Sequence, residues 1–156
     1  MNKITILMLV LMVAGCAAPS GSTKGRPVSS ARANSDAMFV LRATSKSPDE
    51  TVNAIRAYAE ARGWNYLGAD KVKQGEVTLV KLCIPEVGQM LWSVGLHLSA
   101  MLPCGNIGVY RKQDVTEVSL LNPRYMERIL PDPVVRKASA TAETLLIIMV
   151  DEISSR

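Results

Sequence analysis

The chain has 156 residues, 48% apolar and 21% charged, with a formal net charge of +4; without fifteen leader residues and a polar stretch of roughly twenty, about 120 remain, enough for one ordinary domain and too few for two. This composition excludes a chain that is disordered or membrane-embedded throughout. Residues 37–156 hold 14 basic and 13 acidic side chains, a balance of +1, so the basic excess belongs to the N-terminal segment and the domain is a poor reader of phosphates, which argues against nucleic-acid binding.

The first sixteen residues read as a targeting signal: Lys3 supplies a positive start, Ile4 to Ala14 an apolar run, and small residues precede a cysteine. Eleven apolar residues span about 16 Å as a helix, against ~30 Å of bilayer hydrocarbon, so the run anchors nothing by spanning. Val13-Ala14-Gly15-Cys16 resembles the lipobox of bacterial lipoproteins. That resemblance implies diacylglyceryl transfer to the Cys16 sulfur, cleavage before Cys16 and acylation of the new amino group. The competing reading is an ordinary secretory signal with an unrelated cysteine. Ala17 stands where an Asp would favour inner-membrane retention, which by the same resemblance points to the outer membrane with the domain facing the periplasm. From Ala17 to Asp36 the chain is rich in Ser, Ala, Gly, Pro and basic residues, with Val28 its only bulky aliphatic, and reads as a tether with too little to bury to order itself.

A first strand is expected over Met38 to Ser45, where Phe39, Leu41 and Ala43 alternate with Val40, Arg42 and Thr44. Ser47-Pro48-Asp49-Glu50 opens a helix with a capping serine, a first-turn proline and an acid at the third position of a capping box. Val52, Ile55 and Ala59 repeat at helical spacing, and Gly63 suits a left-handed stop. Trp64 to Asp70 and Glu76 to Ile84 read as strands joined through Gly75. Pro85 ends the second, and Glu86 to Leu102, apolar but interrupted by Gly88 and Gly95, predicts one or two short helices. Asn106 to Arg111 and Val115 to Leu121 read as a hairpin. Asn122-Pro123 and Asp132-Pro133 each open a helix, and in the long last one Val134, Ala138, Ala142, Leu145 and Met149 form the expected buried stripe. The order implies an α+β, two-layer domain over 37–156 with a mainly antiparallel sheet and helices on one face.

Leu82-Cys83-Ile84-Pro85, Leu102-Pro103-Cys104, Val109-Tyr110, Asn122-Pro123 and the acid-containing last helix, with Ser47-Pro48-x-Glu50-Thr51 and Gly63-Trp64 upstream, resemble the bacterial family of domain of unknown function 302 across about residues 38–154. The resemblance implies a β-α-β4-α fold of the TBP-like type and carries no activity with it. Ile84 departs from the family's usual Cys-Asn-Pro run, so any ligand contact made by that amide is absent.

With Cys16 spent on lipid, Cys83 and Cys104 are the remaining thiols. One ends a strand and the other begins the next, so antiparallel neighbours would bring them together. In an oxidising compartment a disulfide is the favoured reading. The alternatives are a buried free cysteine, a redox pair in which one thiolate attacks and the other resolves, and a copper site built from Cys83, Cys104, His97 and Met101, whose thiolate, imidazole and thioether donors suit that metal. No Cys-x-x-Cys, phosphate loop or His-rich motif is present. The leading expectation is therefore a membrane-anchored lipoprotein that is not an enzyme and needs no cofactor. Its domain would bind a small ligand or a protein, including a second copy of itself, at the Cys83–Cys104 end of the sheet; the apolar segment with Leu91, Trp92, Leu96, Leu98, Met101 and Leu102 either covers the core or presents the patch for that association. The alternative is thiol redox or copper handling.

Overall fold

Strand β1 (Phe39–Thr44) leads into helix α1 (Pro48–Ala61), whose start is fixed by a complete capping box. The Ser47 amide donates to Glu50 Oε2 at 2.8 Å and the Glu50 amide donates back to Ser47 Oγ at 3.3 Å. At the far end Gly63 takes φ +66°, the left-handed geometry that a glycine adopts without Cβ strain. The computed structural model describes residues 38–101 and 106–155, all within one compact unit. Strands β2 (Asn65–Val72) and β3 (Val77–Cys83) follow, joined by a 3₁₀ turn at Lys73–Gly75. Pro85 then starts α2 (Pro85–Val94), a 3₁₀ helix spans Leu96–Met101, and β4 (Asn106–Lys112) and β5 (Val115–Leu121) form a hairpin. Short α3 (Tyr125–Ile129) and long α4 (Pro133–Ser155) complete the chain. Asp132 Oδ1 caps α4, accepting from the amides of Val134 at 2.7 Å and Val135 at 3.1 Å.

The five strands form one antiparallel sheet in the order β1-β5-β4-β3-β2, with helices packed on one of its faces, the two-layer α+β arrangement expected. The core lies between the layers: Val40, Val80, Leu82, Ile107, Val109, Val118 and Leu120 from the sheet meet Ile55, Tyr58, Leu91, Val135, Ala142 and Met149 from the helices. The buried face of α4 runs through Val135, Ala138, Ala142, Leu146 and Met149, which corrects the expected stripe at two positions: Val134 is exposed and Leu145 only partly buried. A one-residue offset is a 100° rotation, and adjacent apolar pairs at 134/135 and 145/146 leave both settings open in sequence. Among the described residues no helix is long and apolar enough to cross a membrane.

Candidate functional site: the open face of the sheet

Cys83 closes β3 opposite Asn65; its side chain is buried, and no disulfide is formed among the described residues. Cys16 and Cys104 lie outside the described residues, and of Met101 only the backbone is described. His97 sits exposed on the 3₁₀ helix, and no group of three or more His, Cys, Asp or Glu side chains among the described residues is arranged to hold a metal ion. Ile84 fills the core beside the start of α2. The apolar segment after it is divided: Val87, Leu91 and Leu98 are buried, while Trp92 is 39% and Leu96 77% exposed. The Trp92 indole donates to Ser99 Oγ at 3.0 Å, which ties α2 to the 3₁₀ helix that follows.

Among the described residues no helix lies over the second sheet face. An antiparallel sheet of this kind ordinarily turns its polar residues to water. Strand β1 does the opposite. Val40 and Thr44 are buried beneath the helices with Arg42 between them, whereas Phe39 (54% exposed), Leu41 (47%) and Ala43 point to the open side. Register explains the choice: Val40 pairs with Leu120 and Arg42 with Val118, so β1 must lay its even-numbered set on the face that β5 has already committed to the core. Phe39 lies directly across from Leu121, itself 51% exposed, and with Leu41 the three form a contiguous apolar corner.

Polar groups lie beside that corner. The β4–β5 hairpin sets Tyr110 opposite Glu117, and the tyrosine hydroxyl donates to Glu117 Oε1. Lys112 Nζ donates to the other oxygen, Oε2, at 3.0 Å. Burial raises the Glu117 carboxyl, but these two bonds outweigh it and hold the group below the ordinary carboxylate range. The bond to Glu117, reinforced by burial, pushes the Tyr110 phenol above its usual value. Between this cluster and the corner, Ser119 faces Gly108, and a Cβ at Gly108 would come within 2.6 Å of Ser119 Oγ, so a side chain there would displace the serine. The face thus offers apolar anchors, a fixed tyrosine–carboxylate–lysine set and a low, small-residue centre. That arrangement suits docking. Sequence reasoning placed Tyr110 in a strand and missed its partner; counting outward from the two-residue turn at Gln113–Asp114 would have paired them.

Register also fixes where the corner lies. Leu79 pairs with Gly108 and Gly108 with Ser119, so two residues further along Lys81, Asn106 and Leu121 share one level, and Cys83 lies just beyond it. The apolar corner and Cys83 therefore mark the same end of the sheet. A separate groove of about 290 Å³ lies between α1 and the end of α4. Its cations are engaged across it: Lys46 Nζ donates to the Ile153 carbonyl at 2.7 Å, and Arg62 stacks 3.5 Å from the Tyr58 ring centroid while reaching Glu152 at 3.3 Å.

Residues 40–153 match the family described as "Domain of unknown function DUF302". The chain belongs to the DUF302 family. Among solved structures it is similar to that of an uncharacterized conserved DUF302 protein from Bacillus stearothermophilus, at 18% identity and a TM-score of 0.66, covering 73% of this chain and 96% of that one. At that identity the likeness concerns the fold alone. No curated protein sequence matches the chain. The DUF302 resemblance read from the sequence is thereby established, and the family brings a fold without an assigned chemistry.

Proposed function

We propose that this DUF302 protein is a lipid-anchored component of the bacterial envelope, held through Cys16 at the outer membrane with its domain facing the periplasm, and that the domain is a docking module for a protein partner rather than a catalyst. The outward parity of β1 carries the docking reading: a two-layer domain that leaves Phe39, Leu41 and Leu121 on an uncovered sheet face exposes apolar area that water disfavours and a partner would bury. Trp92 and Leu96 are exposed apolar residues of the helical layer, apart from that face. The anchor reading rests on the Val13-Ala14-Gly15-Cys16 run and on Ala17.

The thiols support a structural role at the same end of the sheet. Cys83 ends β3, and Cys104 stands two residues before β4 in the sequence; they are the only cysteines after Cys16. A bond between them would staple the chain where β3 leaves the sheet and β4 enters it. A buried Cys83 suits a staple better than a nucleophile, which needs an accessible thiolate.

Cysteine labelling of the full chain in bacterial envelopes tests the docking reading. Leu41 and Asn53 are both exposed, on opposite layers. A bulky maleimide should modify Leu41→Cys at least fivefold more slowly than Asn53→Cys, after subtraction of the native cysteine background; equal rates would mean that nothing sits on the sheet. Metabolic labelling with an alkynyl fatty acid tests the anchor, because Cys16→Ser should lose both label and membrane association, and retention of both would refute it.

A further inference from the structure

We propose that the partner is a second copy of this chain, docked sheet face to sheet face about a two-fold axis, with Phe39, Leu41 and Leu121 of each copy buried in the contact. The inference rests on the docking reading above and names the occupant of that surface.

An isologous interface sets each surface against its own image, so it must tolerate its own charges. The charges on the open face come in opposite-sign pairs, Lys81–Asp70 at 2.7 Å and Lys112–Glu117 at 3.0 Å, and leave no net charge. Such a face neither repels a copy of itself nor selects a partner of opposite charge. Its size also fits. Five strands about 4.8 Å apart, each presenting about six residues at ~3.3 Å, give a footprint of roughly 24 by 20 Å. That projects to about 480 Å² per copy, or near the ~1,000 Å² in total that a specific interface must clear. Two sheets pack about 10 Å apart when their facing side chains interdigitate, and the low centre at Gly108 and Ser119 lets the larger Leu41 and Leu79 side chains enter from either copy.

Strand addition at the sheet edges is the competing way to join two copies, and both edges are guarded against it. On β2 the register shifts between Tyr66 and Gly68, and Asp70 and Lys71 place charges along the strand. On β1 the Met38 carbonyl accepts from the Asn122 amide of the neighbouring chain segment, so by strand alternation the Leu41 carbonyl points outward. There Arg42 Nη1 donates to it at 2.9 Å, while Arg42 Nε is held by Asp151 at 2.5 Å. With both edges guarded, the open face is the part of the sheet left for self-association.

The test is photo-crosslinking of the full chain in native envelopes with Phe39→p-benzoylphenylalanine. A second-copy interface gives an adduct of twice the monomer mass containing only peptides of this chain. Leu121→Glu should cut its yield at least tenfold and Asn53→Glu should leave it unchanged. Circular dichroism checks that the variants fold, and Leu41→Thr, a milder change suited to a strand, should also reduce the adduct. A main adduct containing another protein would overturn the second-copy assignment and leave the docking reading intact. An irradiated chain that forms no adduct at all would overturn both.

Discussion

Strand β1 allows a sharp test because neighbouring residues on it have opposite fates. Val40 is buried in the core and Leu41, next to it, faces the open side. Val40→Ala removes two methyl groups from a packed site, at about 0.8 kcal/mol each for transfer plus a cavity contribution, or ~1.5–2.5 kcal/mol in all. Leu41→Thr, at a surface position and with a residue that suits strands, should stay within ~0.5 kcal/mol. For an m-value of about 1.5 kcal/mol/M, Val40→Ala should lower the urea midpoint by ~1–1.7 M and Leu41→Thr by less than ~0.4 M. The comparison belongs at protein concentrations low enough to keep the chain monomeric, since self-association would add concentration-dependent stability to the native protein and be lost in Leu41→Thr. If Leu41→Thr costs as much as Val40→Ala, the odd-numbered set of β1 is in the core and the docking surface does not exist.

Other outcomes follow from local geometry. Asp132→Ala removes the cap that accepts two amides at the start of α4 and should cost about 1 kcal/mol in urea unfolding, with Asp132→Asn restoring most of it. Because the Glu117 carboxyl lies below its ordinary value, its stabilising contribution is present above the carboxylate range and is lost as pH falls through the lower folded value. Tyr110→Phe removes one of the bonds that lower it, so the variant should lose less stability than the native protein between about pH 5 and 3; identical acid limbs would refute the role given to the Tyr110–Glu117 bond. In protein isolated from the envelope without reductant, mass spectrometry of tryptic peptides should find Cys83 linked to Cys104. Free alkylated Cys83 would end the staple reading.

Much of this fold is legible in the sequence because it is written locally. Ser47 with Glu50 and Asp132 with Pro133 state where helices begin, and their caps form as expected. The interruptions at Gly88 and Gly95 are resolved as α2 followed by a 3₁₀ helix, with Gly95 at the break. What is not legible depends on partners distant in sequence. Phe39, Leu41 and Ala43 are at least as apolar as Val40, Arg42 and Thr44, so nothing within β1 says which set is buried; pairing with Val118 and Leu120 decides it. The same holds for α4, where paired apolar residues permit two rotations and contact with the other layers selects one. The candidate site escaped for that reason. It is made of residues that break the usual inside–outside pattern, and the break becomes visible only when the sheet order is known.

Hydroxyl-radical footprinting of the full chain, in the envelope and again after solubilisation and dilution, measures the surface itself. The account predicts that Phe39, Leu41 and Leu121 are shielded from oxidation in the envelope and become reactive once the chain is separated, while exposed Ile129 and Ile148 react alike in both states. Equal oxidation of the three residues in the two states would mean that no partner covers them. Shielding that persists in the separated chain would mean that the face is closed within the molecule, and either result contradicts the account.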